Sequence, residues 1–201
     1  VHDGLRQQGR PFDAGRTYCT GGSGGGNVTQ MAAKLAPRTF ACVIDMCGMK
    51  QLTHDIAFNL PGGSGLDARW SRDPASEYFL SVDEQELRYV GHPDHLRERK
   101  RLGSNAKIII VHGIHDRTCP FVDARELADN MKAAGLDVET NFIAESDIDG
   151  KVFTSTGHAL GNRTEIVFRV AGKYLSPKSD ECLRTPGMTD FDRRDDLHYR
   201  T

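Results

Sequence analysis

The chain has 201 residues with a net charge of -2, and 38% of them are hydrophobic and 27% charged. This composition predicts a globular domain with a sizeable core, no excess of basic residues for nucleic acid and no apolar run long enough to cross a membrane. Five cysteines without CxxC spacing argue against a zinc or disulfide scaffold and favour a reducing, cytoplasmic compartment.

The first predicted elements lead into a glycine cluster with one serine at its centre. Residues 1–15 lack periodicity and are predicted as a loop or the end of an earlier helix, and 16–20 as a short strand. The next five residues, GGSGG at 21–25, match G-x-S-x-G. In such a nucleophile elbow a strand turns sharply into a helix with Ser23 at the apex, and small neighbours avoid backbone collisions. The N–H of Gly24 then points to where an oxyanion would develop.

A Gly/Ser run is also typical of a flexible linker. The run GGSG at 62–65 illustrates this, because Leu66 stands where the second glycine of the motif should be. It has no predicted strand before it and no helix after it. We interpret 62–65 as a loop. Because such runs arise easily, the assignment of Ser23 as a nucleophile needs support from the rest of the chain.

A helix and a buried strand follow the elbow. The helix begins at Asn27 and ends at Pro37, because apolar residues recur at the helical period on one predicted face: Val28, Met31, Ala32 and Leu35. Residues 39–46 (TFACVIDM) form an almost continuous apolar run. Such a run is typical of a strand buried on both faces of a parallel sheet.

The segment 48–105 is polar and contains the only tryptophan. We predict a helix within 76–90 and a charged, solvated helical piece at 95–101 (HLRERKR). A connection of this length usually has a function. We therefore interpret 48–105 as a cap-like insertion or long connection that forms part of a substrate wall.

Regular elements return after this segment. A strand is predicted at 107–112, a helix from 124 to 134 that ends at Gly135, a strand at 138–143 and a last helix at 164–175. Strands that alternate with helices predict an α/β fold with a mostly parallel sheet.

Two polar residues follow predicted strands at positions suited to catalysis. Asp116 comes after the strand 107–112, and His158 lies between the strand 138–143 and the last helix. The carboxyl ends of parallel strands share one edge of the sheet, where sites form. An activated serine needs a general base and a group that orients the base.

Three stretches resemble one family. These are the elbow, helix and strand at 21–45, the acid-bearing segment at 108–135 (IIIVHGIHDRTCPFVDARELADNMKAAG) and the histidine loop at 155–160 (STGHAL). Together with the order Ser, Asp, His along the chain, they resemble the α/β-hydrolase superfamily. The likeness is to the C-terminal half of the catalytic domain of prolyl oligopeptidase and dienelactone hydrolase-like serine hydrolases.

The resemblance implies hydrolysis of a small carboxylic ester, or of a short peptide, through an acyl-serine intermediate. Ser23 would be the nucleophile, His158 the general base and Asp116 the group that orients it, while the N–H of Gly24 would form part of the oxyanion hole. It implies no cofactor. A prolyl oligopeptidase-like peptidase and a non-catalytic binding module of the same fold remain the alternatives.

The chain departs from the family before the elbow. The family places further strands there, and they carry the second oxyanion donor. We therefore expect residues 1–175 to be a partial α/β-hydrolase domain, with an exposed sheet edge and the N-terminal half in a longer parent chain. Full activity is then not expected from the fragment by itself. Residues 176–201 are expected to be a charged tail or linker.

Several other polar residues carry no catalytic prediction. His92 and His95 have a spacing that suits a metal, but no thiolate pair or carboxylate cluster joins them in the sequence, and we predict no metal site. His54 and Asp55 are interpreted as part of a pocket rim or cap. Asp45, at the end of the strand 39–46, is the reserve acid if Asp116 does not serve.

Overall fold

A computed structural model describes residues 2–60 and 70–185. The predicted loop at 62–65 and the tail beyond residue 185 lie outside these ranges. The helices and strands of the described residues follow in the order α1 (His2–Gln7), β1 (Tyr18–Gly22), α2 (Gly24–Leu35), β2 (Cys42–Met46), α3 (His54–Ala57), α4 (Val82–Leu87), α5 (Pro93–Arg101), β3 (Lys107–Gly113), α6 (Phe121–Ala133), β4 (Asp137–Ile143) and α7 (Arg163–Leu175).

The four strands form one parallel sheet in the order β1-β2-β3-β4. Gly22 pairs with Met46, and Met46 pairs with Val111, so the carboxyl ends of β1, β2 and β3 lie side by side. The predicted α/β class with a parallel sheet is confirmed. Its register places the segments that follow these strands at one common edge.

Side chains of the central strands alternate between two cores. Ile108 and Ile110 of β3 face the core that contains Ala33 of α2, Leu96 of α5 and Leu127 of α6. Their neighbours along β3 face the opposite core, which α7 covers. Successive residues of a strand point to opposite faces, so β3 is buried on both sides. The helices that connect the strands thus lie on one face, and α7 lies on the other.

The predicted strands are confirmed with shifted boundaries. All five residues of β2 are buried, as the apolar run predicted, although the strand begins at Cys42 rather than at residue 39. β1 extends to Gly22 instead of ending at residue 20, because it pairs with β2 along its whole length. α6 ends before Gly135, which has φ 78° and closes the helix as expected.

The predicted buried face of α2 is wrong. Val28 is 65% exposed and Leu35 is 45% exposed. The face turned to the sheet instead carries small and polar residues: Gly26, Thr29, Gln30, Ala33 and Lys34. Gln30 contacts the buried Asp45, and Lys34 donates to the carbonyl of Leu87. Fixed partners inside the protein therefore let polar side chains occupy the buried face.

The predicted solvated piece at 95–101 is also buried in part. α5 contacts α2 and α6, and its residues His95, Leu96 and Arg99 are buried. Only one of these three residues is apolar, so the periodic pattern of apolar residues gave no signal for a buried face. α4 lies within the predicted helical segment 76–90.

The first part of the tail packs against the start of the sheet. The hydroxyl of Tyr18 in β1 donates to the carbonyl of Leu183 at 2.9 Å. The N–H of Thr185 donates to the carbonyl of Gly15 at 2.7 Å. Across residues 2–60 and 70–185, no helix has the length and apolar character needed to span a lipid bilayer.

Candidate active site

Ser23 forms a sharp turn between β1 and α2. Its backbone has φ 57° and ψ -126°, a strained conformation for a residue with a side chain. The N–H of Ser23 donates to the carbonyl of Met46 at 2.9 Å, which holds the turn against the end of β2. Serine often caps a helix through its side chain, but this serine makes no capping hydrogen bond. The turn has the geometry expected of a nucleophile elbow.

The glycines of the elbow differ in how tightly they pack. A Cβ on Gly21 would lie 2.1 Å from the carbonyl oxygen of Gly25. A Cβ on Gly26 would lie 2.3 Å from Oδ1 of Asp45, whereas a Cβ on Gly25 would meet nothing within 4 Å. The sequence argument required small residues two before and two after the serine. In the structure, space for a Cβ is lacking at the second residue before Ser23 and at the third residue after it.

Gly24 is the first residue of α2. The N–H groups in the first turn of a helix have no acceptor within the helix, and the helix dipole is positive there. The Gly24 N–H is therefore placed where it can donate to a negatively charged oxygen next to the serine.

Asp116 lies in the loop after β3 with a fully buried side chain. Its Oδ1 accepts hydrogen bonds from the N–H groups of Thr118 at 2.8 Å and Cys119 at 3.0 Å. Its Oδ2 lies 2.8 Å from Nδ1 of His158 and 3.3 Å from Nε2 of His112. Both carboxyl oxygens thus have partners, and one of them faces the predicted base.

Opposing effects set the pKa of Asp116. Burial alone would raise it, but hydrogen bonds from His112, His158 and the Cys119 N–H outweigh burial and hold the pKa well below its usual range. The group is therefore a carboxylate at neutral pH. A carboxylate only accepts hydrogen bonds, so Nδ1 of His158 carries the proton between them. This leaves Nε2 as the basic nitrogen of a ring that is 25% exposed.

The loop that carries His158 is fastened to the loop that carries Asp116. The N–H of His115 donates to the carbonyl of Thr156 at 2.9 Å, and the exposed ring of His115 contacts the hydroxyl of Thr156 at 3.0 Å. The N–H of Leu160, a residue with φ 52°, donates to the carbonyl of Gly157 at 3.3 Å. These bonds hold both loops in fixed positions.

Cys47 connects the serine side of the site with the acid–base pair. Its N–H donates to the carbonyl of Val111 at 2.8 Å, directly after the residue that binds the backbone of Ser23. Ligating atoms of Cys47, Asp116 and His158 all lie within 4.8 Å of one another. Burial raises the pKa of the Cys47 thiol, which stays protonated. Sequence reasoning missed this residue, although its place directly after β2 is a signal.

Arg163 is a second residue that sequence reasoning missed. Its guanidinium lies 2.7 Å from the point where a Cβ of Gly22 would stand, next to the elbow serine. Arg163 is the first residue of α7, which follows the histidine loop. A permanent positive charge is therefore present at the elbow. Its place at the start of the helix after His158 was the available signal.

The reserve acid Asp45 and the rim residues His54 and Asp55 have other surroundings. Asp45 is buried beside Gly26 and Gly48, and burial raises its pKa to about 6. Its Oδ2 accepts a hydrogen bond from the side-chain amide of Gln30 at 3.4 Å. His54 and Asp55 lie on α3, a helix whose next residue, Ile56, packs near the acid loop.

Solved structures of similar fold include acylaminoacyl peptidases. The uncomplexed Pyrococcus horikoshii acylaminoacyl peptidase is 14% identical, with a TM-score of 0.58 over 89% of this chain and 27% of that one. Its orthorhombic crystal form is 16% identical, with a TM-score of 0.54 over 79% and 22%. An acylaminoacyl peptidase in complex with Z-Gly-Gly-Phe-chloromethyl ketone is 17% identical, with a TM-score of 0.58 over 85% and 25%.

These similarities establish the fold, which is that of the α/β-hydrolases, as the sequence resemblance implied. The chain spans about a quarter of the length of the peptidases it matches. No curated protein matches its sequence significantly. A family model described as "Protein of unknown function (DUF2920)" matches residues 63–181, a segment that includes Asp116 and His158 and begins after Ser23. Because this match covers more than half of the chain, the chain belongs to the DUF2920 family.

Proposed function

We propose that this chain carries the catalytic residues of a serine hydrolase that cleaves a carboxylic ester or a related acyl substrate. One observation carries the proposal. A buried carboxylate and a histidine, Asp116 and His158, are 2.8 Å apart at the edge of the sheet where Ser23 adopts a strained elbow conformation. A triad of serine, histidine and aspartate requires this combination of groups.

In the proposed reaction, Oγ of Ser23 attacks the acyl carbonyl while Nε2 of His158 accepts the serine proton. Asp116 keeps the proton on Nδ1 and stabilises the imidazolium that forms. The N–H of Gly24 donates to the oxyanion of the tetrahedral intermediate. Collapse of the intermediate gives the acyl-serine and releases an alcohol that takes its proton from His158. Water, deprotonated by His158, then hydrolyses the acyl-serine.

We further propose that residues 48–105 form part of the substrate wall of a partial α/β-hydrolase domain spanning residues 1–175, whose other strands belong to a longer parent chain. Met49, Leu52 and Ile56 support the first part, since they pack with Cys119 beside the acid loop. A second oxyanion donor would come from the additional strands.

A peptidase is the second candidate, because the three structural relatives described above are acylaminoacyl peptidases. The two activities differ in their leaving group. Because a serine peptidase also cleaves an activated ester faster than an anilide, the discriminating measurement is turnover of an N-acetyl-aminoacyl p-nitroanilide. A peptidase turns it over, whereas the ester proposal expects hydrolysis of a p-nitrophenyl acyl ester with no detectable anilide turnover. A non-catalytic binding module is the third candidate. It has no need for the Asp116–His158 hydrogen bond, so the pair favours a catalytic function.

The proposal is tested by labelling the purified full-length parent protein with a fluorophosphonate and measuring its intact mass. We expect one adduct, which Ser23→Gly and His158→Ala abolish. Ser23→Gly is preferred to alanine because glycine adopts positive φ readily, so the elbow can still fold. The exposed Ser146 provides the control, since Ser146→Ala should label normally. Folded wild-type protein that stays unlabelled, or Ser23→Gly protein that still labels, would overturn the assignment.

A further inference from the structure

A second group of potential ligands converges away from the candidate active site. Among the described residues, Glu86, His92 and His95 place one ligating atom each within 4.8 Å of one another. An oxygen of Glu86 lies 3.8 Å from Nε2 of His92 and 3.7 Å from Nε2 of His95, and the two imidazole centroids are 4.4 Å apart. We propose that these three side chains bind one Zn²⁺ ion.

The two separations between Glu86 and the imidazole nitrogens are close to those of a tetrahedral zinc site. Bonds of about 2.0–2.1 Å from zinc to nitrogen and oxygen place neighbouring ligand atoms about 3.4 Å apart. The oxygen of Glu86 therefore has to approach each imidazole by only about 0.4 Å, which a small rotation of its flexible side chain provides. Two imidazoles and a carboxylate with an open fourth position form a ligand set that suits zinc.

The backbone around these side chains is fixed without a metal. Ser81 and Glu84 form a capping box at the start of α4, and His92 is the N-terminal cap of α5. His95 lies three residues further on, so the two histidines share one face of the first turn. The carbonyl of Gly91 accepts a hydrogen bond from the side chain of Asn130 in α6 at 3.1 Å. The ligands are thus held close together before an ion arrives.

Lys34 of α2 orients the buried histidine. Its Nζ lies 2.7 Å from Nδ1 of His95, so Nε2 is the nitrogen that faces Glu86. The His95 side chain is only 6% exposed and has little freedom to turn away. Because the lysine brings positive charge close to the site, the carboxylate of Glu86 is the essential ligand: it supplies the negative charge that a divalent cation needs.

The site is open on one side. Glu86 and His92 border a surface pocket of about 440 Å³ that is also lined by residues 51–53 and by Val82, Gln85 and Tyr89. An ion can enter through this pocket, and a water molecule has room to complete the tetrahedron. A bound ion would join α4 to α5 and so fix part of the 48–105 segment. This inference does not depend on the proposed hydrolase activity.

Zinc binding to tag-free protein tests the proposal. The protein is treated with EDTA, dialysed and titrated calorimetrically with ZnCl₂, and Co²⁺ absorption reports tetrahedral coordination. We expect one equivalent of zinc and a higher unfolding temperature in its presence. Glu86→Gln and the partly exposed His92→Ala should each weaken binding by more than about tenfold and lose most of the thermal shift.

Two control variants identify the site. His115→Ala removes an exposed histidine, and His158→Ala removes the histidine of the Cys47–Asp116–His158 group. Both should bind zinc with wild-type affinity. The proposal is wrong if the folded wild-type protein binds no zinc, if Glu86→Gln and His92→Ala bind as tightly as wild type, or if His158→Ala abolishes binding. Circular dichroism of each variant establishes that it is folded.

Discussion

Gly113 and Thr156 are in direct backbone contact: a Cβ on Gly113 would lie 2.2 Å from the carbonyl oxygen of Thr156. Gly113 is the last residue of β3, three residues before Asp116, and Thr156 is two residues before His158. The same carbonyl accepts the hydrogen bond from the N–H of His115. The acid loop and the histidine loop are therefore positioned on one shared carbonyl group.

Gly113→Ala should separate these loops. The new methyl group has to displace backbone, which we expect to lower the free energy of unfolding by about 1–3 kcal/mol. A shift of about 1 Å in the His158 loop should slow fluorophosphonate labelling by about 100-fold. Gly172→Ala in α7 is the control, since its Cβ would meet nothing within 4 Å, and it should label normally. Wild-type labelling by Gly113→Ala would show that this contact does not position the base.

The elbow glycines offer a matched pair of variants. Gly21→Ala should abolish labelling and destabilise the protein, because its Cβ would collide with the backbone of Gly25. Gly22→Ala should be tolerated, because its Cβ would meet the end of the flexible, exposed Arg163 side chain. Labelling rates and urea unfolding measure both effects. Equal effects of the two variants would contradict the described packing of the elbow.

Asp116→Asn tests the orienting role of the carboxylate. The side-chain oxygen of asparagine can still accept from Thr118 and Cys119, but its NH₂ group would face Nδ1 of His158 and favour the wrong tautomer. We expect labelling to slow by about 10³–10⁴-fold, with the fold retained. Asp45→Asn should label within a few-fold of wild type. The reverse result would assign the acid to Asp45.

Asp45 should make stability depend on pH. Its pKa is raised to about 6 in the folded state, so its contribution to stability is fully present below pH 3.8 and is lost as the pH rises through 6. Asp45→Asn cannot ionise. The stability of the variant relative to wild type should therefore increase from pH 4 to pH 8, by up to about 3 kcal/mol.

Urea unfolding at the two pH values measures this difference. The exposed Asp129→Asn is the matched control, and its stability relative to wild type should be the same at pH 4 and pH 8. If Asp45→Asn behaves like Asp129→Asn, ionisation of Asp45 does not oppose folding.

Many of the strands and turns could be predicted because they depend on local signals in the sequence. The glycine cluster around Ser23 marks a tightly packed turn, in which Gly21 and Gly26 leave no room for a Cβ, and the apolar run ending at Met46 is typical of a buried strand. Asp116 and His158 follow from the rule that parallel strands place functional groups at their carboxyl ends. The sequence therefore located the groups that the structure brings to one edge of the sheet.

What could not be predicted depends on distant polar partners. The buried face of α2 carries Gln30 and Lys34, whose partners lie in β2 and at the end of α4. Apolar periodicity cannot detect such a face. Likewise, the carboxylate beside His92 and His95 comes from Glu86 on the preceding helix, so no local spacing motif marks it.

The order of strands in the sheet is the same as their order in the chain. Gly22, Met46 and Val111 lie next to one another across β1, β2 and β3, and this pairing fixes the distance between the elbow and the acid loop. The 48–105 segment connects β2 to β3 and takes no part in this strand pairing. Its length and composition can therefore change while the spacing between the elbow and the acid loop stays constant. In the proposed hydrolase, the pairing of the strands would set the reaction, and the 48–105 segment would be free to evolve new selectivity.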